Sequence, residues 1–351
     1  MNIFGKTVGK DNAIIICEIG LNHNGSYQRA IEMIDIAKEK GATIVKFQKR
    51  SLKHLYRKPV LENPSDSAHS LGVYIPILEK CELTEVEHIR LKKHCDEIGI
   101  PYFCSPWDIP SIEFLESLGV EAYKVPSALF SDIFHMEYLA KTGKPVIIST
   151  GMHYEDELDE LIPYYKTLFP DRLALMHCVS SYPTSNKDIN LNYMVKMRQK
   201  YNLPIGFSGH ERGIPITVAA VALGAVMIER HFTLDRTLPG PDHAASLEPH
   251  GLETLVRHIR AVEEALGDKK VVNRGEYMAR ETLGKILTWA QDLGADSPVG
   301  AHSFMASSPG YGVPVYKGPK FVDMHLVTTK PVRAGEPVFE TELTYGKKGE
   351  N

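Results

Sequence analysis

Two histidines, His210 and His231, close the apolar, strand-like runs "LPIGFSGH" and "VMIERHFT". On neighbouring strands of one sheet, their imidazoles could converge on a single metal ion, with carboxylate or water completing its shell. A structural hydrogen-bonding role is the alternative. Two lysines, Lys46 in "TIVKFQK" and Lys124 in "AYKVPS", interrupt similarly apolar runs. Lysine is almost never fully buried without a partner. Beside Ser127, Ser149 and Ser208, the pair makes a cage for a dianionic phosphate, the ammonium groups supplying charge and the hydroxyls donors. Glu18 and Glu229 are further candidate ligands or proton carriers. Glu229, Arg230 and His231 stand in direct succession after an apolar run, where burying an unpaired charge would cost several kcal/mol.

Other polar residues gather at the ends of the remaining strand-like runs: Asn22, His23, Gln48, Ser105, Thr150, Ser180, Ser181 and Tyr182. Singly, a serine in such a place usually satisfies a backbone group; their joint occurrence is the informative feature. The loop "LDRTLPGPDHAAS" adds Asp235 and Asp242. Asp242 is suited to accept hydrogen bonds from a polyhydroxylated ligand, and His243 beside it reads as solvated.

These residues need a scaffold that brings many strand ends together. Strand-like runs ("AIIICEIG", "TIVKFQK", "PYFCSP", "AYKVPS", "PVIIST", "LALMHCVSSYP", "LPIGFSGH", "VMIERHFT") alternate with helical patterns. Helices are expected at residues 27–41, 84–98, 109–118, 132–142, 155–169, 190–201, 215–223 and over "GLETLVRHIRAVEEALG". Thr84 and Glu87 form a capping box, and a polar stretch, residues 51–70, reads as an inserted loop. About eight β-then-α units over roughly 270 residues are the rhythm of a (β/α)8 TIM barrel, whose active site lies at the carboxyl ends of the strands. A doubly wound open sheet is the alternative, but "GLNHNG" lacks the glycine-rich phosphate fingerprint. Beyond Asn273, Gly and Pro recur and the helical periodicity is lost. The expected organisation is therefore a barrel over residues 1–273, a linker over 274–282 and a small, mostly-β domain over 283–351.

The chain has 351 residues, 43% apolar and 24% charged, with a formal net charge of −4. That is ordinary globular composition and gives no electrostatic footprint for nucleic acid or an anionic membrane. No apolar run approaches the ~20 residues needed to span a bilayer, and the start lacks a signal-peptide pattern. Five cysteines with no CxxC pair fit thiols in a reducing cytoplasm better than a disulfide framework.

The segments "CEIGLNHNG", "VKFQ", "YKVPS", "ISTGM", "IGFSGHE", "ALGAVMIERHFTLD" and "GPDHAASLEP" run in the order and spacing of the N-acetylneuraminate (sialic acid) synthase family, which the chain resembles over nearly the whole barrel. The C-terminal segment more loosely resembles the antifreeze-like (SAF, β-clip) domain attached to such enzymes. The resemblance implies condensation of phosphoenolpyruvate with an open-chain N-acyl amino sugar, such as N-acetylmannosamine, giving a nine-carbon 2-keto-3-deoxy sugar acid and phosphate. It implies a divalent metal, Mn2+ first and Mg2+ or Co2+ as alternatives, on His210 and His231. It also implies phosphoenolpyruvate on Lys46, Lys124, Ser127, Ser149 and Ser208, Glu18 at the reacting centre, and Ser180, Tyr182 and Asp242 toward the sugar. A domain-swapped homodimer follows from the same resemblance. Three departures fall on the sugar side: Pro126 and Leu129 replace a glycine and an acid, Val179 a threonine, and Ser308 stands near an expected arginine. Related sugars (pseudaminate, legionaminate, Kdn or 9-phosphate type), a Schiff-base aldolase on Lys124 or Lys46, and a non-catalytic sugar-binding relative are the competing readings.

Overall fold

A computed structural model describes residues 1–346. The chain divides into two compact units, residues 1–267 and residue 268 onward.

The first unit opens with a short antiparallel hairpin, β1 (Asn2–Ile3) and β2 (Lys6–Thr7). Eight parallel strands follow: β3 (Ile14–Glu18), β4 (Ile44–Lys49), β5 (Tyr102–Pro106), β6 (Tyr123–Val125), β7 (Val146–Ser149), β8 (Leu173–Cys178), β9 (Ile205–Gly209) and β10 (Met227–His231). They form one sheet in the order β5-β4-β3-β10-β9-β8-β7-β6, and β5 and β6 lie side by side at the remaining seam without a ladder. The first and last strands of the series pair directly, Glu18 opposite His231. That pairing makes the sheet a nearly closed TIM barrel and excludes the doubly wound alternative.

The period of two along each strand sorts side chains between two cores. Ile14, Ile16, Ile44, Phe103, Ala122, Ile147, Ala174, Met176 and Met227 fill the interior. Their alternates, such as Ile15, Val45, Tyr102, Val125, Ile148, Leu175, Phe207 and Ile228, pack outward against helices. Gly206 sits inside, where a Cβ would lie 2.7 Å from the Met227 carbonyl oxygen, so no larger residue fits. The hairpin closes the amino-terminal end: Ile3 and Phe4 join the interior core, the Phe4 ring 5.5 Å from Phe103.

Helix α1 (Tyr27–Glu39) follows β3. Between β4 and β5 lie α2 (Leu52–Leu55), α3 (Lys58–Glu62), α4 (Pro64–Ser67), α5 (His69–Cys81) and α6 (Glu85–Ile98). The stretch expected as an inserted loop is thus helical. Pro59 and Pro64 sit in first turns, where a missing N–H is tolerated. Leu52, Tyr56, Tyr74 and Ile77 from this insertion pack on buried Leu21, Leu78 and Cys81. The expected capping box of Thr84 and Glu87 starts α6. Helices α7 (Ile109–Ser117), α8 (Ile133–Lys141), α9 (Glu155–Leu168), α10 (Leu191–Tyr201), α11 (Pro215–Ala222) and α12 (Pro249–Ala265) complete the outer layer, each within two residues of its expected span.

In the second unit, residues expected as a linker form helix α13 (Arg274–Leu283), because Asn273 and Glu276 cap it reciprocally. Two antiparallel pairs follow, β11 (Ile286–Trp289) with β12 (Phe304–Ser307), and β13 (Leu326–Thr328) with β14 (Leu343–Tyr345). Helix α14 (Gly318–Asp323) lies between them in sequence. Leu287, Trp289, Val299, Val313, Phe321, Leu326, Val332 and Val338 form a separate small core. Among the described residues, no helix is long and apolar enough to cross a membrane.

Candidate active site

The interior strand parity that buries Ile16, Ile44 and Met227 also directs the next alternates, Glu18, Lys46 and Glu229, into the barrel near the carboxyl ends. There a cavity of about 350 Å3 opens. Glu18, Lys46, Lys124, Ser127, Ser149, Ser180, Tyr182, Ser208, His210, His231 and Asp242 all line it, whereas Asn22, His23, Thr150, Ser181 and Asp235 do not.

The floor is an alternating set of buried charges. Lys46 Nζ lies 2.8 Å from Glu18 Oε2 and 3.8 Å from Glu229 Oε2. Lys124 Nζ is 3.7 Å from Glu229 Oε1 and donates to Ser149 Oγ at 2.6 Å. Gln48 Nε2 donates to Glu18 Oε1 at 2.8 Å, and Ser208 Oγ to Glu229 Oε1 at 3.2 Å. Burial opposes ionisation of Glu229, yet the surrounding Lys124, Lys46 and two imidazoles hold its carboxyl down to about 2. Burial lowers Lys124 despite Glu229; Lys46 is also penalised by burial, but Glu18 and Glu229 together raise it. The two lysines therefore differ: one ammonium is firmly held, the other is the more readily deprotonated.

Above the floor, His210 and His231 stand with ring centroids 5.4 Å apart. His210 Nδ1 donates to the Val179 carbonyl at 2.8 Å; burial opposes its protonation, but Cys178, that carbonyl and Glu229 raise its pKa, so Nε2 offers a lone pair in the neutral ring only. His231 Nδ1 is buried without a hydrogen bond, 3.6 Å from Asp242 Oδ2, and burial lowers its pKa. Neutral imidazoles are the form that binds metal. The Tyr182 ring lies 4.1 Å from His210 and edge-on to His231 at 5.7 Å. Two imidazoles in their neutral form could hold a divalent transition ion; among the described residues no group of three or more His, Cys, Asp or Glu side chains is gathered to hold a metal.

A model of the NeuB family matches residues 33–271. The chain belongs to the NeuB family. It is 37% identical over 306 residues to the N,N'-diacetyllegionaminic acid synthase of Legionella pneumophila, covering 85% of this chain and 86% of that one. It is 41% identical over 280 residues to the human N-acetylneuraminate-9-phosphate synthase, covering 79% and 78%. The crystal structure of an N-acetylneuraminic acid (sialic acid) synthetase from Leptospira borgpetersenii, in complex with citrate, superposes with a TM-score of 0.67 at 32% identity, over 78% of this chain and 93% of that one.

Several strand-end residues of this NeuB-family chain lie elsewhere. Arg230 faces outward, opposite in parity to Glu229 and His231, and binds Glu211 at 3.0 Å, the Gly213 carbonyl and Thr217. Asn22 pins a loop through Phe232 O and Ser246. His23 packs beside Phe47, 6.3 Å between rings. Asp235 caps its own turn at Thr237. His243, expected in solvent, is buried and bonded to Thr233 at 2.7 Å. Leu129 is in the outer core, and Ser308 is an exposed residue of the second unit, bonded to the Leu283 carbonyl.

The cavity also includes Glu229, named above as a ligand or proton carrier, the strand-end residues Gln48 and Ser105, which were given no role, and four residues not singled out from the sequence: Tyr74, Trp107, Met152 and Cys178. Gln48, Ser105 and Glu229 carried the same strand-end signal as the rest. Cys178 could have been found by its even parity with Ala174 and Met176. Tyr74 had no local signal, because the insertion delivers it from far beyond Lys49, the end of the strand it follows. A larger open cleft of about 840 Å3 adjoins the site, sharing Met152, Cys178 and Ser180. Its charged residues, Glu155, Asp188 and Lys196, are not buried, whereas the buried lysines and carboxylates that face one another line the smaller cavity.

Proposed function

We propose that this chain is a phosphoenolpyruvate-using, carbon–carbon bond-forming transferase that condenses phosphoenolpyruvate with an open-chain N-acyl amino sugar. The product is a nine-carbon 2-keto-3-deoxy sugar acid, with release of phosphate. The observation that carries the reading is the buried Lys–Glu floor beneath two imidazoles at the carboxyl end of the barrel. Membership of a family whose relatives are named as legionaminic and neuraminic acid synthases supports it.

In this reading Lys46 and Lys124, with Ser127, Ser149 and Ser208, hold the phosphate and carboxylate of phosphoenolpyruvate. The enol carbon attacks the aldehyde carbon, whose oxygen gains a proton. Water adds to the former enol carbon that bears the phosphate, losing a proton; the carbon–oxygen bond to phosphate then breaks as the new hydroxyl gives its proton to the departing phosphate, leaving the ketone. Glu18, beside Lys46, is placed to accept the proton of the water. Ser180, Tyr182 and Asp242 orient the sugar. Fixing two reactants in one cavity removes much of the entropic barrier, and the ammonium groups stabilise charge on the departing phosphate.

His210 and His231 would hold a divalent metal, Mn2+ first, which as a Lewis acid polarises the aldehyde. The second unit is proposed as an SAF-like domain and the assembly as a domain-swapped homodimer. The exposed Phe134, Met152 and Tyr154 on the barrel's first unit support a covered surface there. All five cysteines are free thiols, which supports a cytoplasmic setting. The decisive assay is phosphate release requiring phosphoenolpyruvate, an aldose and a divalent metal together, with product mass. Borohydride trapping of substrate on Lys124 would instead favour the Schiff-base aldolase that its lowered pKa permits.

A further inference from the structure

We infer that Arg50 is a positioning residue of the reacting centre: acting through the amide of Gln48, it holds the Glu18 carboxylate in the orientation that receives the proton of the attacking water. The inference rests on the condensation proposed above and adds a residue to which that reading gives no part.

The parity that directs Lys46 and Gln48 into the barrel runs on to residue 50, one position past the end of β4. Arg50 is nevertheless absent from the cavity lining. Its side chain is buried, and its Nη2 donates to Gln48 Oε1. Gln48 Nε2 donates in turn to Glu18 Oε1 at 2.8 Å, while Glu18 Oε2 faces Lys46 Nζ at 2.8 Å. Each oxygen of the carboxylate is thus met by one nitrogen from β4.

The guanidinium makes this chain directional. An arginine side chain carries donors and no acceptor. It therefore selects the amide oxygen of Gln48 and leaves the amide N–H groups to face Glu18. Turned over, the amide would set its oxygen against the carboxylate. Gly20 leaves the pair little room to shift: a Cβ there would lie 3.1 Å from Glu18 Oε1 and 3.3 Å from Gln48 Nε2.

Arg50 is held from its other side by the insertion between β4 and β5. Glu82, which closes α5, accepts from the Arg50 backbone N–H at 3.0 Å and from Lys49 Nζ at 2.6 Å. Its Oε2 is 3.8 Å from Arg50 Nη1, and the guanidinium carbon lies 5.0 Å from the Trp107 ring centre. These contacts do not fully offset burial, since Nη1 has no hydrogen bond among the described residues. A buried cation with an unused donor is a poor device for stability. The hydrogen bond its side chain does make is the one that orients Gln48.

The test is a double-mutant cycle on the full-length enzyme, with phosphoenolpyruvate, Mn2+ and, in turn, N-acetylmannosamine, its 6-phosphate and a diacetamido hexose. Phosphate release is followed for wild type, Arg50→Met, Gln48→Leu and the double variant. Each single variant should lower kcat about 10- to 100-fold, with KM for phosphoenolpyruvate within about twofold of wild type. The double variant should fall no further than Gln48→Leu alone, because Arg50 acts only through Gln48. Wild-type kcat in Arg50→Met, or single effects that multiply in the double variant, overturns the inference and leaves the condensation standing. Should Arg50→Met not fold, Arg50→Gln carries the same cycle: an amide at that position can accept from Gln48 as well as donate, which releases the orientation. A wild-type enzyme that releases no phosphate with any of the three sugars overturns the condensation, and this inference with it.

Discussion

Glu18 and Lys46 are register partners on adjacent parallel strands, and their side chains meet at 2.8 Å inside the barrel. On its other side Glu18 is opposite His231. One layer of the barrel therefore places a carboxylate between an ammonium and an imidazole.

If Glu18 carries the proton of the attacking water, Glu18→Gln keeps the shape and the Gln48 contact but removes the base. The expected outcome is a fall in kcat of about 10²- to 10⁴-fold, with little change in KM for phosphoenolpyruvate. Steady-state kinetics on variant protein with a wild-type circular dichroism spectrum checks this.

Lys124→Ala removes a buried cation that faces Glu229 and bonds Ser149. A hydrogen bond to a charged group contributes about 1.5–3 kcal/mol, so kcat/KM for phosphoenolpyruvate should fall about 10- to 150-fold. An effect confined to the sugar KM would reassign Lys124 to the acceptor.

His231→Ala leaves one imidazole at the proposed metal position. Turnover should be lost at every Mn2+ concentration, and wild-type activity should vanish on chelation and return with added Mn2+. Wild-type-like turnover of the variant after chelation would remove both histidines from a metal role.

Three histidines outside the site make the fold acid-sensitive. Burial holds His23 at about 4, His88 at about 3 and His135 at about 4, with Arg50 and Lys49 adding to the first two and Asp132 opposing for the third. Their folded pKa values lie below the unfolded 6.5, so the unfolded chain binds more protons in that interval. Stability is thus greatest above pH 6.5 and is lost as pH falls toward about 4. Each histidine contributes about 1.4 kcal/mol per pH unit across the window. Urea titrations at pH 7 and 5 measure the slope. His135→Leu, which removes a ring whose Nε2 has no partner, should reduce it.

Arg230 tests the division between site and scaffold. Arg230→Met leaves Glu211 fully buried without its cation, a loss of about 3–5 kcal/mol. Thermal unfolding should shift strongly, while the KM values of the folded fraction stay near wild type.

Much of this was legible before folding. The alternation of "AIIICE", "TIVKFQK" and their successors with helical patterns carried the barrel, because burial imposes its period on each element separately. The residue types at strand ends carried the site, because a lysine or glutamate in an apolar run must find a partner. The insertion was not legible as helices: its helices α2, α3 and α4 are four or five residues long, too short to show periodicity.

By itself, then, the sequence determined the strand and helix order and the set of chemical groups at the barrel's end. Only the tertiary structure decided which face of each strand lies inside. Closure of β3 against β10 sends Glu229 and His231 into the cavity and Arg230 to Glu211. It also brought Tyr74 and Trp107 over the floor to make an apolar arc. Strand parity is a local property, but inside and outside exist only once the sheet curves round on itself.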